Sequence, residues 1–490
     1  MGRFFQPQDL LAIGPELELA LFGMIVLVFD LLLTNKRWLG YISLVGVAWS
    51  GYFLYRTSEI ATQSNSYAGQ LYAYGGQITL DPFAWFFKAI ALVAAGLAIA
   101  ISLKYLETER ENHGEYYALI LFSTMGIMFM VAAMDLVTLY IGLETMAIAT
   151  YVLVGFLRGS PRSNEASLKY FLLGAFSSGI LLYGFSLLYG MAGSTNFIDI
   201  QNMLEQRSLS DPLSLMALAA VVAGLFFKIA AVPFHQWTPD AYEGAPTSIT
   251  AFMSVAVKAA SFAMMMRLLL IALSPLRPHW VVVVSVVSAL TMTVGNIAAI
   301  TQSNVKRLLA YSSISHAGYI LIGLVASSDN STTGLMSVPL YLLIYTFTNL
   351  GAWAIVVALR RKDVIGEHID EMSGLFFRNP VAAILMLIFL LSLAGIPPTA
   401  GFIAKYFLIA AAIETHHNVL AVIAVLNVAI AAYFYLRIVV AMFMREATEK
   451  TGLDLSPGVI TVMAVALIFT LGIGLYPDPF IAMAQYAMGL

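Results

Sequence analysis

The chain has 490 residues, 60% of them hydrophobic and only 11% charged, with a mean hydropathy of +0.84 and a formal net charge of −3. Soluble domains carry about 25% charged residues, so the composition excludes one, and apolar runs of about 20 residues, each able to cross about 30 Å of hydrocarbon, recur along the whole length. With no cysteine, disulfides, zinc knots and thiolate-held iron–sulfur clusters are excluded as well.

In chain order, the runs between loop signals predict an all-α polytopic membrane protein of about fourteen spans, read as a single transmembrane domain over 1–490. They fall near 15–34, 38–56, 82–104, 115–134, 136–157, 166–192, 212–243 (broken), 247–272, 279–300, 306–326, 335–360, 380–414 (broken), 418–444 and 457–477. Glu16 and Glu18 open the first run and no cleavage site closes it, so insertion is expected to rest on that span itself. The sizeable polar connections are 57–81 and 193–211.

Basic residues divide unevenly between alternate loops. One side holds Lys36, Arg37, Lys104, Arg110, Arg158, Arg162, Lys169, Lys306, Arg307, Arg360, Arg361, Lys362, Arg378, Arg445 and Lys450; the other holds Arg3, Arg56, Arg207 and Arg277. The rich side is expected to be cytoplasmic, which puts both termini outside the cell membrane.

A repeat is also expected. From the start of the fourth span near 115 to the break at Pro233, and from the ninth near 279 to the break at Pro397, the separation is about the same, 118 residues. Two five-helix units follow, 115–272 and 279–444, flanked by 1–104 and 457–490. An odd number of spans per unit inverts the second, the arrangement by which many transporters build an ion site at the midplane from broken helices.

Lys88, Arg267 and Arg437 lie near span ends and are expected to snorkel to water. Four other ionisable residues have no such exit. Glu144, in "TLYIGLETMAIATYVLV", lies about 13 Å along its helix from the turn residue Asp135. Lys228 comes just before the first break, Lys258 stands about a dozen residues into its span, and Lys405 follows the second break by about two turns. A cation at the centre of a bilayer costs roughly 2.5–3.5 kcal/mol on insertion scales, which marks such residues as sites on an ion or proton path. A buried structural pair such as Glu144 with Lys228 is the alternative, and it leaves two cations over. Polar side chains able to order water lie between the lysines: Thr247, Ser254, Ser312, Ser313, Ser315, His316, Tyr345, Thr348 and Asn349. From chemistry alone His316 reads equally as a packing residue or a relay. No phosphate loop, dinucleotide fingerprint, HExxH, flavin or haem motif is found.

Three stretches then carry a resemblance: "VPFHQWTPDAYEGAPTSITAFMSVAVKAA", "GNIAAITQSNVKRLLAYSSISHAGYILIG" and "AGIPPTAGFIAKYFL". Together they resemble the antiporter-like membrane subunits of respiratory complex I, the bacterial proton-translocating NADH–quinone oxidoreductase, over nearly the full chain. No long lateral helix follows the last span and position 405 is a lysine rather than a glutamate, which sets the chain with the N-type branch. The resemblance implies proton translocation by Glu144 paired with Lys228, then Lys258, His316 and Lys405, driven by electron transfer elsewhere. It also implies no cofactor in this chain, with flavin, iron–sulfur clusters and quinone in partner subunits. Partners would be the other membrane subunits, the peripheral redox arm and the lipid bilayer, with no nucleic acid, in a bacterial inner membrane. Alternatives are a subunit of a multisubunit cation/proton antiporter or membrane-bound hydrogenase, and a membrane scaffold that pumps nothing.

Overall fold

Five helices begin on the same two-residue signal, a capping Asp, Ser or Asn followed by proline: Asp81–Pro82, Ser160–Pro161, Asp211–Pro212, Asn379–Pro380 and Ser456–Pro457. In each the cap side chain accepts an orphan N–H of the first turn, while proline fills a position whose own N–H has no helical partner. The computed structural model describes residues 7–63, 71–329, 331–360, 366–446, 453 and 455–490. Arg3, Arg361, Lys362 and Lys450 of the charge count lie outside the described residues.

The main helices are α1 (Gly14–Leu32), α2 (Arg37–Gln63), α3 (Pro82–Glu109), α4 (Gly114–Ala132), α5 (Leu136–Val154), α6 (Pro161–Ala192), α7 (Pro212–Ile229) and α8 (Trp237–Gly244). They continue with α9 (Thr247–Ala272), α10 (Arg277–Ile300), α11 (Val305–Ser327), α12 (Thr332–Leu359), α13 (Pro380–Ala394), α14 (Ala400–Glu414), α15 (Asn418–Met444) and α16 (Pro457–Leu475). Among the described residues, eleven helices are long and apolar enough to cross a membrane. The expected fourteen add α1, which carries Glu16, Glu18 and Asp30 in its 19 residues, α2, and the divided pair α13–α14. The break expected at Pro233 separates α7 from α8, and the one at Pro397 separates α13 from α14.

Burial sorts the helices. The apolar windows of α12, α11 and α9 are 100%, 94% and 89% buried inside the protein, against 39% for α6, α10 and α15 and 33% for α16. A helix apolar all round belongs in the interior, and these three helices carry the central lysine, the serine–histidine stretch and the polar residues 345–349. One unexpected element is a small antiparallel hairpin, β1 (Leu71–Ala73) with β2 (Ile78–Leu80), in register Leu71↔Leu80 and Ala73↔Ile78. Beside it the loops are tied together: Met134 N–H donates to Gln77 O (2.9 Å) and Leu136 N–H to Thr195 O (2.9 Å).

Two of the three basic residues expected to reach water, Lys88 and Arg267, are buried instead. Lys88 is fully buried and pairs with Glu16 on α1 at 2.6 Å. Arg267, 4% exposed, donates to Asp81 (2.6 Å) and to Val131 O (2.7 Å), and lies over the Phe83 ring. Arg437 is half-buried and donates to the last carbonyls around the C-terminus of α10, Ile300 O (2.6 Å) and Gln302 O. Each partner lies far away in sequence and close in the fold, so depth along a span did not show it.

Removing one partner of a buried, hydrogen-bonded ion pair leaves the other charge orphaned and costs about 3–5 kcal/mol. Arg267→Met should therefore lower the thermal midpoint of the detergent-solubilised protein markedly, and adding Asp81→Asn should restore much of the loss. Arg445→Ala, which breaks an exposed pair with Asp370, should leave the midpoint unchanged.

Candidate functional site

At the first break, α7 closes with Ala230 in the left-handed conformation (φ 59°). The crossed bonds Ala230 N–H to Phe227 O (3.0 Å) and Ala231 N–H to Phe226 O (2.9 Å) satisfy its end. Val232 N–H, freed by the break, donates to Thr291 Oγ1 on α10 at 3.0 Å. Trp237 wedges the gap: its ring stacks on Tyr170 at 4.5 Å and its indole N–H donates to Phe227 O at 3.1 Å. Lys228, in the last turn of α7 near the negative end of that helix, is buried and donates to Ser178 Oγ on α6 at 3.2 Å.

Glu144 and Lys228 lie near enough to interact by charge but make no direct contact among the described residues. Glu144 is half-buried on α5, between Ile141 (60% exposed) and Ile148 (57% exposed), and its Oε1 is buried without a hydrogen-bond partner among the described residues. No ion pair joins it to Lys228 among them. Glu144 turns its buried Oε1 inward, near enough for its charge to act on Lys228, while the lysine itself donates to the Ser178 hydroxyl.

Lys258 lies in the most buried layer. The helix α9 widens into a π-turn over Met253–Val257, just ahead of it, and such turns recur at functional positions because they re-aim the side chains beside them. Its Nζ donates to Ser313 O at 2.5 Å and to Ser313 Oγ. One turn earlier, Ser254 Oγ accepts from Asn349 Nδ2 on α12 at 2.7 Å.

One turn beyond Ser313 on α11, His316 lies between two tyrosines. Nδ1 is 2.5 Å from Tyr341 Oη on α12, and Nε2 is 3.1 Å from Tyr435 Oη on α15, which in turn bonds Ser312 Oγ at 2.5 Å. A cavity of about 10 Å³ links His316, Tyr345, Thr348 and Ser392 to Lys405, close to the smallest that holds one water.

Lys405 reaches back from α14 to cap the other half of its own broken span. Its Nζ donates to Leu393 O (2.9 Å) and Ala394 O (3.0 Å), the final carbonyls of α13, and sits 4.8 Å above the Tyr319 ring. Helix ends leave carbonyls without intrahelical partners and concentrate negative charge; an aromatic face adds a cation–π attraction. Those interactions offset the cost of the buried ammonium. Gly395, left-handed at φ 86°, makes the turn that exposes the carbonyls.

The axis therefore holds Lys228, Lys258, His316 and Lys405 on neutral partners. Sequence reasoning placed these four inside but missed Ser178, Tyr319, Tyr341 and Tyr435. All four sit in apolar spans far from their partners, and no local pattern distinguishes them from packing residues.

Comparison with known proteins adds the following. A family model described as "NADH:quinone oxidoreductase/Mrp antiporter, TM" matches residues 133–431. The chain is 50% identical to NADH-quinone oxidoreductase subunit N 1 of Koribacter versatilis, across 98% of this chain and 96% of that one. Its structure is similar to a chain of respiratory complex I from Thermus thermophilus with bound aureothin, at 30% identity and a TM-score of 0.79, covering 96% and 98% of the two chains. A chain of the Mrp complex from Dietzia matches at 22% identity and a TM-score of 0.84, covering 99% and 97%, a likeness of fold alone.

The seat of Lys405 depends on close contact between α13 and α14. A Cβ at Gly401 would lie 1.7 Å from Ser392 O, so Gly401→Ala should push the half-helices apart and destabilise by at least the ~1–3 kcal/mol typical of overpacking. Gly179→Ala on α6, with nothing within 4 Å, should be neutral or slightly stabilising. Thermal denaturation of both variants in detergent checks the contrast.

Proposed function

The chain belongs to the subunit N family of the antiporter-like membrane subunits of NADH–quinone oxidoreductase, and from that premise we propose that it carries protons along the axis of Glu144, Lys228, Lys258, His316 and Lys405. As a multi-pass membrane subunit of that enzyme it works with the other membrane subunits and the peripheral arm. Electron transfer from NADH to quinone, with its flavin and iron–sulfur clusters, is placed in those partners.

One observation supports the relay most directly: the three buried lysines of the axis rest on hydroxyls and carbonyls, whereas Lys88 and Lys306, off the axis, pair with carboxylates. An ammonium in a carboxylate pair leaves an orphan charge when it loses its proton. One held by neutral acceptors leaves a neutral amine that the same site tolerates. Glu144, half-buried with one carboxylate oxygen turned inward, suits the role of first charge in the series: a proton gained or lost there changes the field at Lys228, and coupled groups titrate together. His316 joins the halves, and Lys405 loads the second.

We also read the chain as two inverted five-helix units, 115–272 and 279–444, with both termini on the outer face. Matching details support this. Both breaks close on a left-handed residue, Ala230 and Gly395. The first two helices of each unit cross backbone to backbone through small residues, a Cβ at Gly142 meeting Met130 N at 2.7 Å and one at Gly318 meeting Met292 N at 2.6 Å.

Lys258→Met tests the relay in the whole enzyme reconstituted in vesicles. The variant is expected to assemble and oxidise NADH while moving fewer protons per NADH; undiminished pumping would sink the relay and favour a scaffold. Because the native chain has no cysteine, single replacements report its sidedness. Arg207→Cys should react with an impermeant thiol reagent in intact, outward-facing vesicles and Arg110→Cys only after permeabilisation.

A further inference from the structure

Between Glu144 and Lys228 lies a third polar side chain that the axis does not use. Tyr151 follows Glu144 by seven residues on α5, about two turns along the same face, and side chains on a helix lean back over the preceding turn. Its ring is packed from the α6 side. It meets Tyr170 edge-on with centroids 4.6 Å apart and Phe171 edge-on at 5.7 Å, and Tyr170 is itself stacked on Trp237, the wedge of the first break. The hydroxyl passes over Gly174, where a Cβ would lie 2.1 Å from Oη. That glycine stands one turn before Ser178, the residue that accepts from Lys228, so the absent side chain leaves room for a phenol beside the lysine's own partner.

Packing accounts for the ring of Tyr151 and leaves its hydroxyl unexplained. The residue is 5% exposed, and Oη is buried without a hydrogen-bond partner among the described residues, as is Glu144 Oε1. A phenylalanine would fill the same ring site with no polar atom to satisfy, whereas an unpaired buried hydroxyl costs about 1–3 kcal/mol. Ser178 and the charge of Glu144 both act on this hydroxyl, yet neither bonds it directly. Unpaired buried groups of this kind are where ordered water sits, with about three hydrogen bonds to each molecule.

We propose that the Tyr151 hydroxyl carries protons between Glu144 and Lys228, through Ser178 on one side and a bridging water on the other. In one transfer Lys228 gives a proton to Ser178 Oγ while Ser178 gives its own to Tyr151 Oη; Tyr151 passes one to the water and the water passes one to Glu144. The lysine ends as a neutral amine and Glu144 as a neutral carboxylic acid, so neither is left charged beside a partner that has lost its charge. The reverse transfer restores both ions. A hydroxyl both donates and accepts, so each takes one proton as it gives another and the phenol is never ionised.

This rests on the proton-carrying reading above, so the test separates the two. In the whole enzyme in vesicles, Tyr151→Phe removes the hydroxyl and keeps the ring; it is expected to assemble and to move fewer protons per NADH oxidised. Gly174→Ala displaces the hydroxyl from the neighbouring helix and should lower the same ratio with the tyrosine still in place. Adding Tyr151→Phe to Glu144→Gln should lower the ratio no further than Glu144→Gln alone, because the bridge serves only that carboxylate. Additive losses would set Tyr151 on another path and overturn the bridge. Full pumping by Tyr151→Phe, with pumping lost in Lys258→Met, also overturns it and leaves the axis standing, whereas undiminished pumping in both removes the axis as well. If Tyr151→Phe fails to assemble while Gly174→Ala pumps fully, the hydroxyl is structural and the proposal fails.

Discussion

Backbone carbonyls inside a membrane helix are already engaged, so a buried cation must find acceptors where that ladder is interrupted or where a side chain lends an oxygen. Much of this molecule follows from that requirement. Gly395 ends α13 early, and the carbonyls of Leu393 and Ala394 become the seat of Lys405. Ala230 ends α7, placing Lys228 in a last turn whose dipole favours it. Lys258 stands in an unbroken span and needs another solution. A π-turn precedes it, and Ser313 supplies both a hydroxyl and the second lone pair of its carbonyl.

Two populations of buried charge result. Arg267, Lys306 and Arg307 meet carboxylates, with Asp81 at 2.6 Å, Glu367 at 3.4 Å and Glu243 at 2.8 Å. These lie near the ends of helices and fasten loops to the bundle. The lysines of the axis meet neutral oxygen. Arginine keeps its proton at any accessible pH and forms geometrically fixed pairs, whereas lysine can give its proton up when buried. Position and partner type thus agree: Arg267 and Arg307, with Lys88 and Lys306, meet carboxylates away from the axis, and the three lysines of the axis meet hydroxyls or carbonyls.

The sequence made the spans, both proline breaks and the mid-depth position of the ionisable residues legible, because each is written in consecutive residues. Partners were not legible. Depth along a span suggested that Lys88 and Arg267 reach water, yet Glu16 and Asp81 arrive from other helices. Tyr341 and Tyr435 gave no sign of meeting His316, since a tyrosine in an apolar run reads as packing until a neighbour's nitrogen is seen beside it. For Glu144 the missing information was that Lys228 would turn to the Ser178 hydroxyl on a third helix rather than to the carboxylate. Hydrophobic periodicity is weak in a helix that is apolar on every side, so facing could not be read from it.

The surroundings of His316 bear on how the halves communicate. A histidine meant to hold one tautomer usually donates to a carbonyl or carboxylate, which accept only. Here both nitrogens meet tyrosine hydroxyls, Tyr341 at 2.5 Å and Tyr435 at 3.1 Å, and a hydroxyl donates or accepts with equal ease. Neither tautomer is locked, and reversing the pair of bonds costs no partner. The second hydroxyl continues to Ser312, one residue from the Ser313 that holds Lys258. On the other side, a small cavity leads from the ring to Lys405. A ring set between reversible partners, with an ammonium beyond each, has the geometry that the proposed relay requires: it can exchange tautomers in the most deeply buried layer of the protein without holding a lasting charge of its own.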